Sequence, residues 1–470
     1  MEYKTNETIE YLKNEGADTC NLFTNNASSC FVSQNNICKN GSFYSEIDIK
    51  TSKKHKIYHF TFHFSDIKDD NRIEHKNFIK RSLYLALSKF LLVKQDWGAI
   101  TGIHPSLLIR KLLAKGKTNK EIKQILKNEY LISNKKIKLL FNIIKNQGEL
   151  NNNNKNIGLY INIPFCPSRC SYCSFLAQEI GTKKTEISDY LKYLFKDIIS
   201  SLEIIKKGNF NVTCVYVGGG TPTTLNATQL TDMLKLIQDL SPKEITVEAG
   251  RPDTIDEDKL TALANNKVTR ICINPQTFCD KTLKIIGRWH TSQQTINAYK
   301  LARKYPFLIN MDLIAGLPSE DLQIFKNTLK TCISLSPDNI TVHTLSLKKG
   351  SKLEETNNSY SNHSTSMIDI ARRKLVRAGY IPYYLYKQKN MMNNEENTGY
   401  CKQNSSCLFN IYTMEECASI LSCGAGSISK KVNFENGKIE RFAEPKDISL
   451  YYERFNENQK KKSDFFLENN

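Results

Sequence analysis

Apolar runs alternate with helix-length segments through the middle of the chain. Each run is short and rich in β-branched residues, and a segment long enough for an amphipathic helix separates it from the next. This alternation predicts a parallel sheet. Right-handed crossovers curl such a sheet into a partial (β/α)6 barrel, with functional loops after the carboxyl ends of the strands. The runs are residues 159–163, 213–217, 245–247, 270–273, 307–314 and 339–345.

The flanking regions lack this alternation. A strand pattern over 56–64 and a helix pattern over 78–92 predict a small α+β unit at the amino end. Helices opened by Pro105 and by a cap at Asn119 follow, and an asparagine tract then predicts a linker. After the barrel, a helix over 364–378 and a turn-rich tail predict a C-terminal α+β domain on the substrate side. The predicted segments are 1–95, 96–155, 156–350 and 351–470.

Composition adds further expectations. At 470 residues the chain is long enough for two or three folding units. No signal-peptide pattern follows Met1 and no apolar run is long enough to span a bilayer, so we expect a cytoplasmic protein whose 14 cysteines are thiols or metal ligands. The net charge of +18 comes mainly from lysine in an asparagine-rich chain. That bias favours a solvated face, as at Lys460, Lys461 and Lys462, over a nucleic-acid partner.

The strongest chemical signal is a group of three cysteines directly after the first run. Cys166, Cys170 and Cys173 have the spacing C-x3-C-x2-C, and such close thiolates share a centre only if the backbone curls around it. A structural zinc site takes four protein ligands, whereas three thiolates on a four-iron cluster leave one iron open to another ligand. The pattern therefore favours an iron–sulfur cluster over zinc and over three incidental cysteines.

Two further features carry weaker signals. After the second run, residues 218–223 read Gly-Gly-Gly-Thr-Pro-Thr, so a ligand can approach the main chain and the amides could donate hydrogen bonds to it. Near the carboxyl end, four cysteines could form a second metal site, but their spacing fits no short ligand pair and favours packing roles. These are Cys401, Cys407, Cys417 and Cys423.

The cysteine spacing and the glycine loop together resemble those of radical S-adenosylmethionine (SAM) enzymes. The sequence of the glycine loop resembles that of the oxygen-independent coproporphyrinogen III oxidase (dehydrogenase) branch. Three further segments resemble the HemZ-type subfamily of that branch, namely residues 97–104, 248–253 and 384–390. The resemblance covers about residues 156–430. It implies a [4Fe-4S] cluster on the three cysteines and SAM on the open iron. The residues that match the family's SAM contacts are Tyr160, Tyr172, Gly219, Gly220, Thr221, Glu248, Gln276, Arg288 and Asp312.

The resemblance also implies a reaction. In that branch a 5′-deoxyadenosyl radical takes hydrogen from a propionate of coproporphyrinogen III, carbon dioxide leaves, and two vinyl groups of protoporphyrinogen IX are formed. The implied partners are the porphyrinogen substrate and an external electron donor such as a flavodoxin or ferredoxin. The excess of lysine would suit a substrate that carries several carboxylates.

Two alternatives stay open on the same fold: a haem-binding chaperone, and a radical SAM enzyme that degrades haem. Two departures from the family pattern weaken the transfer of substrate specificity. Relatives commonly have His where this chain has Asn162, and the oxidase branch tends to have a further cysteine where this chain has Phe175.

Overall fold

The computed structural model describes residues 1–7, 9–23, 30–39, 42–63, 72–102, 104–150, 152–173, 178–180, 184–346, 363–388 and 391–468. These residues form two compact units. One unit comprises Met1–Ile144 and Leu385–Glu396, and the other comprises Lys145–Tyr384 and Asn397–Asn470. The division into four segments stays a prediction.

The first unit begins with a small sheet covered by helices. In the described part of this unit, the strands have the order β1-β2-β3-β4, with β1 parallel to β2 and the remaining pairs antiparallel. Buried apolar side chains from the sheet and from α2, including Val32, Ile47 and Leu83, form its core. The elements are β1 (Glu2–Thr5), α1 (Glu10–Asn21), β2 (Phe31–Lys39), β3 (Ser42–Lys50), β4 (His55–His63), α2 (Arg72–Leu91), α3 (Pro105–Ala114), α4 (Asn119–Asn128) and α5 (Asn134–Gln147).

The cap of α4 differs from the sequence prediction by one residue. The cap is Thr118, whose hydroxyl accepts the amide of Glu121 at 3.3 Å, while the Glu121 carboxylate accepts the amide of Thr118 at 2.7 Å. Two amides that lack intrahelical partners are thereby satisfied reciprocally. Asn119, predicted as the cap, is instead the first helical residue.

A buried ionic group holds residues 385–396 within the first unit. The Nζ atom of Lys136, on α5, lies 2.7 Å from Glu395 Oε2 and 2.6 Å from Glu396 Oε2. The indole of Trp97 donates to Glu396 Oε2 at 2.8 Å. Since a buried charge is costly unless paired, this group fixes the segment closely against α5.

The second unit is the predicted partial barrel with strands added at both edges. All six predicted strands are present, as is the helix predicted over 364–378. The elements are β5 (Asn156–Ile163), β6 (Phe165–Cys166), β7 (Gln178–Glu179), α6 (Lys184–Lys207), β8 (Asn211–Gly219), α7 (Ala227–Lys235), β9 (Glu244–Glu248), α8 (Glu257–Asn265), β10 (Arg270–Cys272), α9 (Asp280–Ile285), α10 (Ser292–Ala302), β11 (Leu308–Ala315), α11 (Leu322–Leu335), β12 (Asn339–Thr344), α12 (Ser364–Arg377), β13 (Ile381–Tyr386), β14 (Asn397–Cys401), α13 (Leu408–Glu415), β15 (Ser419–Cys423), β16 (Ile428–Val432), β17 (Ile439–Ala443), α14 (Ile448–Glu453) and α15 (Phe455–Leu467).

The sheet of this unit is open. Across the described residues its order is β13-β14-β12-β11-β10-β9-β8-β5-β15-β16-β17. The stretch from β5 to β12 is parallel throughout, β15 adds in parallel to β5, and β14 adds antiparallel to β12. Strands from the carboxyl region therefore extend both edges of the barrel sheet, which the sequence pattern did not indicate.

One prediction about the surface is wrong. Lys462, expected on a solvated face, is fully buried and forms ion pairs with Asp197 of α6 and with Glu444, the latter at 3.3 Å. Its neighbour Lys461 is exposed and pairs with Glu457 at 2.5 Å. Successive residues of α15 point about 100° apart, so one lysine of a run can face inward while the next faces solvent.

This difference between adjacent lysines makes a stability prediction. Lys462→Met leaves Asp197 buried without its cationic partner, so we expect the free energy of unfolding to fall by about 3–5 kcal/mol. Lys461→Met is the matched control and should change it by less than about 0.5 kcal/mol. Urea unfolding of both variants measures the effect, and equal stabilities would contradict it.

Candidate functional site

The cysteine loop begins at the carboxyl end of β5. The short strand β6 pairs in parallel with β7, which brings the two ends of the loop together. Within the loop the amide of Cys173 donates to the carbonyl of Cys170 at 3.1 Å, and the amide of Arg169 donates to Glu179 Oε1 at 2.7 Å. The thiols of Cys166, Cys170 and Cys173 are all partly exposed. The loop is therefore folded back on itself around three partly exposed cysteines.

Two buried arginines brace this loop. Arg251 Nη1 donates to Ser168 Oγ at 2.9 Å, and its other nitrogens hold Asp253 in a bidentate pair at 3.0 and 2.9 Å. Arg288 Nη1 donates to the carbonyl of Asn274 at 2.6 Å, and its charge acts on Tyr172. Arg288, predicted as a SAM contact, thus also supports the loop.

The glycine loop lies against the start of the cysteine loop. The amide of Gly220 donates to the carbonyl of Ile163 at 2.8 Å, and the amide of Thr221 donates to that of Phe165 at 2.7 Å. Main-chain carbonyls therefore occupy these two amides, and the expectation that the glycine loop contacts a ligand stays a prediction. Thr221 Oγ1 instead lies 3.5 Å from the sulfur of Cys166.

Polar side chains line the inside of the barrel below this edge. Tyr160 donates to Asn162 Oδ1 at 3.1 Å, and Tyr216 donates to Glu248 Oε1 at 2.6 Å. Burial, together with the charge of Asp312, raises the pKa of Glu248 to about 7, although the bond from Tyr216 opposes the shift. Tyr216 was missed in the sequence because it lies inside an apolar strand pattern.

Asp312 has the opposite shift. Burial alone would raise its pKa, but His343 and the amide of Asn310 stabilise the ionised form and hold the pKa below its ordinary value. Asn310 Nδ2 donates to Asp312 Oδ1 at 2.8 Å, and His343 Nε2 lies 3.7 Å from Asp312 Oδ2. This carboxylate is an acceptor at the barrel mouth.

Gln276 is held in a backbone conformation that side-chain-bearing residues seldom adopt. Its φ is +64°, and its main chain bonds to β11 through the carbonyl of Asp312 at 2.9 Å and the amide of Ile314 at 3.0 Å. Its buried Oε1 has no hydrogen-bond partner among the described residues. A buried polar atom in that state is normally satisfied by a ligand or water, so this position fits a polar ligand.

A cavity of about 450 Å³, a size that suits a small-molecule ligand, lies on the β5 side of the barrel sheet, and Glu248, Gln276 and Asp312 do not line it. Its walls come from β5, the glycine loop, α13 and the turn after β15. Asn162 connects two of these walls, because its Nδ2 donates to the carbonyl of Ala425 at 2.6 Å. Of the predicted SAM contacts, Tyr160, Gly219 and Gly220 line it.

The three thiols do not form a single-ion site among the described residues. Among the described residues, no group of three or more His, Cys, Asp or Glu side chains could hold one metal ion. The thiolates on an iron–sulfur cluster bind different iron atoms and need not meet at a point. The described part of the chain also gives no second site at the four carboxyl-terminal cysteines: they are buried, and Cys407, for example, donates to Glu244 Oε1 at 3.1 Å.

Comparisons with known proteins agree with this geometry. A family model described as the radical SAM superfamily matches residues 160–332. The chain is 39% identical to the oxygen-independent coproporphyrinogen-III oxidase-like protein HemZ of Bacillus subtilis, over 77% of this chain and 75% of the relative. It is 28% identical to the heme chaperone HemW of Buchnera aphidicola, over 62% of this chain and 75% of that one. The solved coproporphyrinogen III oxidase (HemN) from Escherichia coli matches with a TM-score of 0.53 and 20% identity, covering 65% of this chain and 70% of that one.

The barrel and its cysteine loop thus have the fold of a radical SAM protein. Within that superfamily the chain belongs to the family of HemZ, the oxygen-independent coproporphyrinogen III oxidase-like proteins. The predicted fold class is confirmed, and the cofactors of the superfamily are a [4Fe-4S] cluster and SAM. No helix in the described ranges is long and apolar enough to cross a membrane.

The shift at Glu248 predicts a pH effect on stability. Between the ordinary carboxyl pKa of 4.5 and about 7, the unfolded chain loses the Glu248 proton while the folded chain keeps it. Stability should therefore fall as pH rises through this window, by up to about 3 kcal/mol, and level off above it. Glu248→Gln should lack this contribution.

Urea unfolding of the cluster-free protein at pH 5 and pH 8 measures it. Glu257→Gln, at an exposed position in the first turn of α8, is the matched control and should follow the wild-type protein. The prediction is wrong if Glu248→Gln and the wild-type protein lose equal stability over the interval.

Proposed function

We propose that the chain is a radical SAM dehydrogenase that converts two propionates of coproporphyrinogen III to the vinyl groups of protoporphyrinogen IX in porphyrin biosynthesis. The observation that carries this proposal is the set of groups that the barrel provides: three partly exposed cysteines on one loop, the partly buried carboxyl groups of Glu248 and Asp312, and the buried, unpartnered Oε1 of Gln276. The relation to HemZ, at 39% identity, favours this chemistry over that of the chaperone relatives.

In this proposal Cys166, Cys170 and Cys173 hold the cluster. A cluster and SAM held there together would supply the one-electron chemistry that starts hydrogen abstraction from the substrate. Each propionate then loses one hydrogen atom, one carbon dioxide and one electron, and the electron passes to an acceptor outside the chain. An external donor, of the flavodoxin or ferredoxin type, would supply the electron that this chemistry consumes.

The remaining residues bind and orient SAM. Glu248 and Asp312 can accept from its ammonium or ribose hydroxyl groups, and Gln276 can use its buried Oε1 for the same ligand. Arg288 keeps its Nε free of a hydrogen bond among the described residues and can meet a carboxylate. The cavity wall includes Tyr160, Gly219 and Gly220. The cysteine loop contains Tyr172, and Thr221 lies beside its first cysteine.

The ligand assignment predicts that Cys170→Ala prevents cluster assembly, because the remaining two thiolates leave a second iron without a protein ligand. Iron and acid-labile sulfide after anaerobic reconstitution should fall to background. Cys279→Ala is the matched control, since Cys279 is also a partly exposed cysteine but lies outside the loop. A full cluster in Cys170→Ala, or zinc in the wild-type protein, would contradict the assignment.

The proposed reaction predicts vinyl formation by the reconstituted wild-type protein. With SAM, dithionite, coproporphyrinogen III and an added one-electron acceptor under anaerobic conditions, carbon dioxide and protoporphyrinogen should form at about two to one, and Cys170→Ala should form neither. Haem titration of the same preparation tests the alternative. Tight haem binding without any decarboxylation would replace the dehydrogenase with the chaperone function.

A further inference from the structure

The cavity on the β5 side of the barrel sheet has one wall from the carboxyl region of the chain. The turn after β15, the start of β16 and Lys446 contribute to this wall. Lys446 is exposed, and among the described residues that line the cavity it is the only charged one. Two acidic residues close to it in the chain, Glu444 and Asp447, do not line the cavity. The lining therefore offers a ligand one cation and no carboxylate.

Ser427 supplies an unused hydroxyl group to the same wall. It is only 2% exposed, and its Oγ has no hydrogen-bond partner among the described residues. The hydroxyls of Ser422 and Thr413, which also line the cavity, donate to the carbonyls of Ile428 and Phe409 at 2.8 and 2.9 Å. A buried polar atom without a partner is normally satisfied by a ligand or by water, so the Ser427 hydroxyl indicates a polar ligand.

Main-chain contacts hold these two residues on adjoining segments. The amide of Gly426 donates to the carbonyl of Pro445 at 2.8 Å, and the amide of Glu444 donates to the carbonyl of Ser427 at 2.9 Å. A Cβ atom on Gly426 would lie 3.7 Å from the Cα of Lys446. The cation and the hydroxyl are therefore carried by one small, hydrogen-bonded part of the wall.

An aromatic side chain forms another part of the lining. Phe409 lines the cavity, and its ring stacks on that of Tyr216 at 4.5 Å between centroids and on that of Tyr160 at 5.8 Å. A ring held by two other rings presents a fixed, flat, apolar surface, which suits a flat ring of the ligand.

The cavity also extends to the cysteine loop. Pro164 and Gly220 line it, and Cys166 follows two residues after Pro164. Thr221, the residue after Gly220, lies 3.5 Å from the sulfur of Cys166. A ligand in the cavity is therefore close to the first cysteine of the loop.

The charges of the lining distinguish between two carboxylate ligands. The amino-acid end of SAM carries an ammonium group beside its carboxylate, and a buried ammonium group needs an acceptor such as Glu or Asp. Among the described residues no acidic side chain lines the cavity. A propionate on a pyrrole ring has a carboxylate and no cation, so it fits one lysine, one hydroxyl and an aromatic wall.

We propose that Lys446 and Ser427 bind a propionate carboxylate of the tetrapyrrole, with the pyrrole ring that carries it packed against Phe409. Lys446 contributes the charge, and the Ser427 hydroxyl donates a hydrogen bond. The proposal rests on the proposed function for the identity of the ligand. The bound carboxylate sets the position of the ring beside the cysteine loop.

Calorimetric titration of coproporphyrinogen III into the anaerobically reconstituted protein tests this site. No reductant is added, so binding is measured without turnover. At low ionic strength we expect Lys446→Met to weaken binding about tenfold and Ser427→Ala about fivefold, because each removes a hydrogen bond to a charged group. Lys446→Arg keeps the charge and should bind within about twofold of the wild-type protein. Ser427→Ala should keep the stability of the ligand-free protein, because its hydroxyl has no partner to lose.

Two variants are matched controls. Lys460→Met makes the same change in charge at an exposed position on α15 that does not line the cavity. Ser106→Ala removes another buried hydroxyl that has no partner among the described residues, but it lies on α3 in the first unit. Both should bind coproporphyrinogen III as the wild-type protein does. Added salt should weaken wild-type binding more than that of Lys446→Met.

Titration of the same variants with SAM separates the two carboxylates. Lys446→Met should bind SAM normally, and weaker SAM binding with unchanged coproporphyrinogen binding would assign the cation to SAM and overturn the proposal. Equal dissociation constants for coproporphyrinogen in Lys446→Met and the wild-type protein, or an equal loss in Lys460→Met, would overturn it too. A wild-type protein that binds coproporphyrinogen through Lys446 but forms no vinyl group would support the site and count against the proposed function alone.

Discussion

The close approach of two main-chain segments is the constraint on which the site depends. A Cβ atom on Gly220 would lie 2.8 Å from the nitrogen of Phe165, which is closer than a side chain can approach. Only glycine therefore allows the two main-chain segments to lie this close together. The hydrogen bonds across this contact set Thr221 beside Cys166. The first cysteine and the glycine loop are therefore fixed relative to each other before any cofactor binds.

A single buried carboxylate, that of Asp197, holds the far wall of the cavity. It accepts the amide of Gly424 and the hydroxyl of Tyr451, each at 2.8 Å, and pairs with Lys462. Beside it, Tyr190 donates to the carbonyl of Asn162 at 2.7 Å. One charge thus joins α6 to the turn that follows β15 and to the C-terminal helices. This charge is costly to bury unless all of its partners are present.

The sequence predicted the features that follow from periodicity and short spacing. Each barrel strand overlaps its predicted run, because strands buried in a parallel sheet have continuous apolar sequences. The carboxyl-terminal strands were not assigned to the sheet, since β15 pairs with β5 across more than 250 residues and no local pattern encodes that pairing. Lys462 was misread because a run of three lysines does not reveal which one faces inward.

Within the site, spacing located the cysteines, but it could not indicate how main-chain groups are used. From the sequence, the amides of Gly220 and Thr221 could donate hydrogen bonds to a ligand. In the structure they donate to main-chain carbonyls at the end of β5 and in β6. Tyr216 shows the converse: its aromatic ring suits the apolar strand, and only the fold brings its hydroxyl to Glu248.

The two carboxyl groups inside the barrel have pKa values pushed apart by their surroundings. Burial keeps Glu248 protonated up to about pH 7, whereas His343 and Asn310 keep Asp312 ionised despite burial. Near neutral pH, Asp312 is therefore a fixed acceptor, and Glu248 is poised between donor and acceptor. A cationic ligand group beside Glu248 favours its ionised form, so binding of such a group releases a proton from this carboxyl and takes none from Asp312. Two residues of similar chemistry therefore have different protonation behaviour near neutral pH.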